Sequence, residues 1–344
     1  MSKLPSTFSA SFHLEDVVRK MPYSQLGKTD LHISRFSLGG GPLGSIYGDL
    51  EMSKGVEIVT TALKNGINYI DTAYWYGQGS SETVLGKALR DIPRETYYLA
   101  TKVGRYEKAF DKMFDFSAEV TLRSVDRSLS LLGLPYVDLI QVHDVEFASS
   151  SDVIVHETLP ALQKVVDQGK ARYIGITGYP VSVMKTIIEK STVKIDTVLS
   201  YSRATLFDRT LDDYMEFFQS KGIGVINAAP TGMGLLTQQG PQPWHPGSTE
   251  LKQKCRDVYD SCAAENVNLT RLALYDSFHT PGIATTNCGI NSLDILTENL
   301  DAVLNPLSEK ETESLNRIVA QFGNRRNHWE GVELAAYKKA LEGN

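Results

Sequence analysis

The stretch Gly66-Ile67-Asn68-Tyr69-Ile70-Asp71-Thr72-Ala73-Tyr74-Trp75-Tyr76-Gly77 decides how the rest of the chain is read, because a short apolar run ends in an acid, Asp71, and a phenol, Tyr76, follows five residues later. A lysine and a histidine stand in matching places downstream. Lys102 closes the run Tyr97-Tyr98-Leu99-Ala100-Thr101, and His143 closes Val137-Asp138-Leu139-Ile140-Gln141-Val142. Three successive strand-like runs thus each deliver polar chemistry at the C-terminal end, which is where a parallel α/β barrel keeps its active site.

Working outward, strand-like runs near 36–38, 67–70, 97–101, 137–142, 171–176, 196–201, 223–228 and 282–286 alternate with stretches whose apolar residues recur at helical spacing. Val56, Val59, Ala62 and Leu63 form one such face, and Leu159, Leu162, Val165 and Val166 another; Gly66, Gly133, Gly169 and Gly222 sit as helix stops. Eight strands alternating with helices predict a closed parallel barrel. Tyr23–Leu26 and Leu31–Ser34 flank a turn-rich joint, so a hairpin is expected before the barrel. No midpoint linker divides the chain, and it is read as one domain over 1–344: an arm at 1–21, a barrel core at about 22–307, and a helical extension at 308–344 that includes an amphipathic helix over Trp329–Leu341. Two long loops, Gly104–Asp115 and Thr231–Ser248, follow the third and seventh strands and are expected to overhang the site.

Composition narrows the partner. The net charge is −6 with no run of five basic residues, which offers no footprint for nucleic acid or an anionic membrane. Cys255, Cys262 and Cys288 lack metal-type spacing, so neither a disulfide framework nor a metal site is expected. No apolar run approaches the roughly 20 residues of a membrane span, and the first twenty residues lack a secretory apolar core. A cytoplasmic protein with a small-molecule partner is the expectation. Oligomeric state carries no sequence signal.

The four polar groups form a chemical set. A phenol has a reference pKa near 10, and a neighbouring buried ammonium favours its ionised form, so Tyr76 beside Lys102 is expected to be drawn down toward the working range. Asp71 holds Lys102 charged, and His143 orients the substrate oxygen and shares in proton transfer. Gly39-Gly40-Gly41-Pro42-Leu43-Gly44 satisfies GxGxxG, but Pro42 and Gly44 read as a loop with the first helix opening near Ser53, so the dinucleotide-fold reading is rejected.

With these residues in view, the chain resembles the aldo-keto reductases from about Tyr23 to Leu307. The resemblance rests on Gly66–Ala73 through Tyr76-Gly77, Ser81-Glu82, Leu85-Gly86, Ala100-Thr101-Lys102, Val137–Ile140 to His143, and Gly169–Ile176. It implies a (β/α)8 TIM barrel, a nicotinamide cofactor, hydride transfer between that cofactor and a carbonyl or alcohol, and Asp71, Tyr76, Lys102 and His143 as the catalytic tetrad with Tyr76 as general acid/base. Within the family the chain is similar to the L-galactose dehydrogenase branch through Phe114–Ala118, His143–Phe147, Met233–Thr237, Gly240-Pro241 and Trp244-His245-Pro246. Insect relatives share these blocks, and one activity of that group, reduction of the ketosteroid 3-dehydroecdysone with NADPH, is the alternative. A cofactor-binding regulatory subunit with little turnover is the second alternative.

The same resemblance assigns the cofactor to Gly40, Gly41, Asp71, Thr177, Ser200, Ala228, Pro230, Gly232, Gly289, Asn291, Ile295, Glu298 and Asn299, and the substrate to Trp75, Tyr76, Arg105, Tyr106, His143 and Trp244. Where the family usually holds the nicotinamide amide with a Ser-Asn pair and a Gln, this chain has Thr177-Gly178 and Ser200, with Tyr201 or Asn227 as substitutes. A 2′-phosphate needs Lys or Arg, and the segment Thr285–Thr297 has neither while Asp294 adds negative charge, so NAD is expected over NADP.

Overall fold

A computed structural model describes residues 4–342. The chain begins with turns and a short helix, Glu15–Val18, and then the hairpin strands β1 (Tyr23–Gln25) and β2 (His32–Ser34), which pair antiparallel. Eight strands follow: β3 (Phe36–Gly39), β4 (Tyr69–Asp71), β5 (Tyr98–Val103), β6 (Val137–Val142), β7 (Ala171–Gly178), β8 (Thr197–Tyr201), β9 (Gly224–Ala228) and β10 (Ile283–Gly289). They close into a barrel in the order β10-β3-β4-β5-β6-β7-β8-β9, with every neighbouring pair parallel. This is the expected (β/α)8 architecture.

The strands read as continuous apolar runs because both their faces are covered: all six residues of β6 are buried. Inside the barrel lie Tyr69, Ala100, Leu139, Leu199, Ile226 and Ala284. Outside it, the helices lay their apolar stripes on the sheet. In Ala118–Leu132 the stripe is Val125, Leu129 and Leu132; Ser117 caps the start by accepting the Val120 N–H, and Gly133 ends the helix at φ 65°. Such a cap contributes about 1 kcal/mol, and each large apolar side chain buried this way about 1.5–3 kcal/mol.

The lower end is plugged. Leu26, Leu31 and Ile33 of the hairpin are fully buried among the barrel's inner residues, and Gly27, at φ 58°, lies so close to Gly224 that a Cβ there would sit 2.3 Å from its nitrogen. Residues 1–3 of the expected arm lie outside the described residues, and the rest of it is packed structure: Asn68 donates to Thr7, and Val18 and Met21 are buried. Its contacts are made by scattered residues, which periodicity does not reveal.

The seam between the first and last barrel strands is riveted by Arg35. Its guanidinium donates to the carbonyls of Phe278 (2.9 Å), Thr280 (3.0 Å) and Ile283 (2.6 Å). The extension begins with Glu309–Phe322, opened by a Ser308/Glu311 capping box, and ends with the helix Val332–Glu342. Trp329 lies ahead of that last helix, buried against Tyr179. Among the described residues no helix is long and apolar enough to cross a membrane.

Candidate active site

Asp71 is the last residue of β4, Lys102 lies in β5 directly opposite Gln141 of β6, and His143 follows the end of β6. The upper rim of the barrel therefore collects all three. Tyr76 comes from the tight turn after β4, where its carbonyl accepts the Ser81 N–H and Gly77 and Gly79 take left-handed backbone. The turn is pinned by the glycine-rich loop. A Cβ on Gly44 would lie 2.2 Å from the Tyr76 carbonyl oxygen, so only glycine permits this approach. That loop contains a single 3-10 turn over Pro42–Gly44, and the first helix of the barrel opens at Met52, in line with its reading as a loop.

The Lys102 ammonium donates to the Asp71 carboxylate, to the Thr72 carbonyl at 3.0 Å and to the Tyr76 hydroxyl at 3.2 Å. The second oxygen of Asp71 accepts from Gln141 at 2.7 Å. Burial works against the charged lysine, but Asp71 and Tyr76 together hold it above its ordinary value. Tyr76 does not move down as expected. Burial pushes its phenol above the ordinary value, and Lys102 opposes this only in part because Asp71 cancels much of its field. A phenol so placed stays protonated and can donate.

His143 packs edge-on to Tyr76, with ring centroids 5.8 Å apart, and its backbone N–H is fixed on the Val103 carbonyl. Burial lowers its pKa to about 3 against the pull of Asp144, so the imidazole is neutral across the working range. Its Nδ1 is buried without a hydrogen-bond partner among the described residues. Asp144, in left-handed backbone at φ 50°, pairs with Arg105 at 2.7 Å. Burial favours its neutral form, yet the Arg105 guanidinium, by charge and hydrogen bond, and Lys102 beyond it help hold the carboxyl below the ordinary range.

These groups line one end of a continuous cleft of about 1390 Å³. Its wall here includes Trp75, over which the Arg105 guanidinium sits at 4.1 Å, together with Tyr201 and Glu333. Gly40, Gly41, Thr177, Ala228 and Pro230 line the middle, and the cleft runs on to Gly289, Asn291, Ile295, Glu298 and Asn299. Trp244, 51% exposed, faces Tyr47 across the opening at 6.0 Å. The cations among the lining residues are Lys102, Arg105 and Lys108, all at or near the Tyr76 end. Arg271, near the far end, is already paired with Asp301 at 2.6 Å and Glu311 at 2.9 Å.

Four expected contacts do not reach the cleft. Ser200 lies between the lining residues Leu199 and Tyr201 on β8, so strand alternation turns it outward. Asn227, opposite it, likewise reaches outward to the Ala204 carbonyl and Ser277. Gly232 is a turn residue whose Cβ would strike Phe207, and its carbonyl accepts from His245. Tyr106 is buried beside the helix Ala118–Leu132, its hydroxyl taking the Gly104 N–H and giving to Ser124. The cleft also holds residues that the sequence reading did not single out as contacts: Asn287 on β10, Asp144, and Glu333 from the extension. Asp144 had a signal in its position directly after a strand end. Glu333, far along the chain, had none.

A family model for the aldo/keto reductase family matches residues 35–320, and the chain belongs to that family. It is 42% identical to an L-galactose dehydrogenase of Arabidopsis thaliana over 287 residues, covering 83% of this chain and 88% of the relative. Identity to a D-arabinose 1-dehydrogenase of Saccharomyces cerevisiae is 33%, covering 78% and 82%. Among solved structures, the holo form of an aldo-keto reductase from Bacillus halodurans superposes with a TM-score of 0.69 at 29% identity, over 87% of this chain and 96% of that one. The protein is accordingly an oxidoreductase of the nicotinamide-dependent kind. The cleft suits such a cofactor: its volume exceeds what a small substrate alone would fill, Asn287 offers a buried side-chain oxygen without a partner among the described residues, and the Ser292-capped start of the helix Leu293–Leu304 lines the far end.

Proposed function

We propose that the protein is an NAD-dependent dehydrogenase of a neutral sugar, oxidising the anomeric alcohol of an aldose in its ring form, with L-galactose as the leading candidate. The observation that carries the reading is the joining of the Asp71–Lys102–Tyr76–His143 group to a substrate end walled by Trp75, Arg105, Asp144 and Glu333, an amphipathic pocket suited to a polyol. Two relatives named as sugar dehydrogenases support it. A bound nicotinamide would supply the hydride acceptor for oxidation and the hydride donor for the reverse direction. Tyr76 takes the hydroxyl proton of the alcohol, or returns it to the carbonyl oxygen in reduction. Lys102 stabilises the phenolate that oxidation requires, Asp71 and Gln141 keep Lys102 in place, and His143, neutral, fixes the substrate oxygen by a hydrogen bond. Gly40, Gly41, Thr177, Ala228, Pro230, Gly289, Asn291, Ile295, Glu298 and Asn299 would hold the cofactor.

NAD is favoured over NADP because, among the described residues, no cation lines the far end of the cleft, where Asp294 and Glu298 would repel a 2′-phosphate. The same feature speaks against the NADPH-linked ketosteroid alternative. Steady-state oxidation of L-galactose should give a kcat/KM at least about tenfold higher with NAD than with NADP, the scale of one unmet charge-assisted contact. Faster turnover with NADP, or of 3-dehydroecdysone with NADPH, would reverse the reading.

A further inference from the structure

The extension does more than follow the barrel: it lies over the barrel mouth and puts a carboxylate inside. Arg325 donates to the carbonyls of Thr205 at 2.7 Å and Leu206 at 3.0 Å. Trp329 stacks on Tyr179 with centroids 4.9 Å apart, and its backbone N–H reaches the Tyr179 hydroxyl at 3.1 Å. Glu330 pairs with the buried Arg203 at 2.7 Å. Three residues later Glu333 faces the same cleft as Tyr76 and His143 and accepts the Tyr201 hydroxyl at 3.0 Å. Beyond it, Tyr337 sets its ring edge-on against Phe114 and Phe147, fixing the last helix to the loop that carries Arg105.

Charge pairing at this end isolates Glu333. Lys102 is matched by Asp71 and Arg105 by Asp144, whereas among the described residues no cation lies within ion-pairing distance of Glu333. Burial raises its carboxyl above the ordinary value, and the hydrogen-bond donors it has, the Tyr201 hydroxyl and the Trp329 side chain, are neutral and leave it lone pairs to offer. A carboxylate in that state accepts hydrogen bonds from hydroxyl groups and repels a second carboxylate. Hydrocarbon next to it would leave it desolvated and unpaired.

We propose that Glu333 is a specificity-determining residue that accepts a hydrogen bond from a substrate hydroxyl away from the reacting carbon, so that the cleft selects neutral, polyhydroxylated carbonyls and alcohols over hydroxyl-free ones. This deepens the sugar-dehydrogenase reading and rests on it for the identity of the substrate, although the selection itself is a property of the cleft.

The test uses the full-length enzyme with NADH and a matched pair, glyceraldehyde and propanal, which differ by two hydroxyls, alongside oxidation of L-galactose with NAD. Glu333→Ala should lower the ratio of kcat/KM for glyceraldehyde over propanal about tenfold, the scale of one charge-assisted hydrogen bond, and should do so through KM. Glu333→Gln, which keeps an acceptor oxygen, should lower it less. Equal losses on both aldehydes would mean that Glu333 only supports the fold of the extension, and an unchanged ratio would mean that it does not meet the substrate; either overturns the proposal. If the wild type fails on L-galactose while the ratio still falls in the variants, the sugar reading fails and the role of Glu333 stands.

Discussion

Replacing Lys102 by Met should destabilise the protein by an amount that depends on pH in a calculable way. The substitution removes the cation that faces the Asp71 carboxylate and leaves Gln141 as its remaining side-chain donor. Asp71 is fully buried, so an unpaired charge there is relieved by protonation. At pH 7 protonating a carboxyl of ordinary pKa near 3.9 costs about 3 pH units, or about 4 kcal/mol, within the range for breaking a buried pair from one side. The variant's folded carboxyl is raised above its unfolded value, so the loss should shrink by about 1.4 kcal/mol for each pH unit downward and be near 1.5 kcal/mol at pH 5. Asp71→Asn combined with Lys102→Met should regain most of the stability at pH 7 and lose that pH dependence, while turnover stays near background in both. Urea unfolding midpoints at pH 5, 6 and 7 measure this. A loss in Lys102→Met that is equal at pH 5 and 7, or a double variant no more stable than the single, would refute the account of the pair.

Tyr76→Phe removes the proton donor without removing packing, so turnover should fall by a factor of about 100 or more while NADH binding, followed by fluorescence, changes little. Because burial raises Tyr76 and His143 is neutral, alcohol oxidation in the wild type should rise into the alkaline range with no inflection between pH 5 and 7; an inflection near 6.5 that vanishes in His143→Asn would show that the imidazole titrates. Burial beside Asp144 pushes Glu146 up to about 8, and its Oε1 accepts the Tyr179 N–H at 2.9 Å. Its contribution to stability is present at low pH and lost as pH rises from about 4.5 through 8, so Glu146→Gln should hold its melting temperature above that of the wild type at pH 9 and not at pH 5. Gly44→Ala should displace the Tyr76 turn, lowering kcat at least tenfold for a loss of about 1–3 kcal/mol in stability; an unaltered kcat would mean that the turn does not depend on this approach.

The barrel was readable because its strands are short apolar runs that end in glycine- or polar-rich turns, and each of the eight runs became a strand within a few residues. Facing was harder to read. A strand covered on both sides has no polar face to mark its inside, so Ser200 was assigned to the site when the lumen position on β8 belongs to Tyr201. The juxtaposition of Tyr76 and Lys102 was legible from register, but the sign of the phenol's shift was not, since it depends on burial and on how far Asp71 neutralises the lysine. Glu333 was invisible because its place in the cleft follows from tertiary contacts of Trp329, Glu330 and Tyr337 rather than from any local pattern.

The seam held by Arg35 has a consequence for how the protein is made. Strand β3 leaves the ribosome early but pairs with β10, so it waits through most of synthesis for one neighbour. Until β10 emerges, β3 and β9 are open parallel edges, the kind of surface that recruits other chains. Closure is a long-range event of the slow class, and the Arg35 guanidinium has no Phe278, Thr280 or Ile283 carbonyl to hold before then. Chains cut short ahead of Ile283 should therefore clump rather than persist as smaller folded units, and the dependence on chaperones should be concentrated in the interval before the last strand arrives.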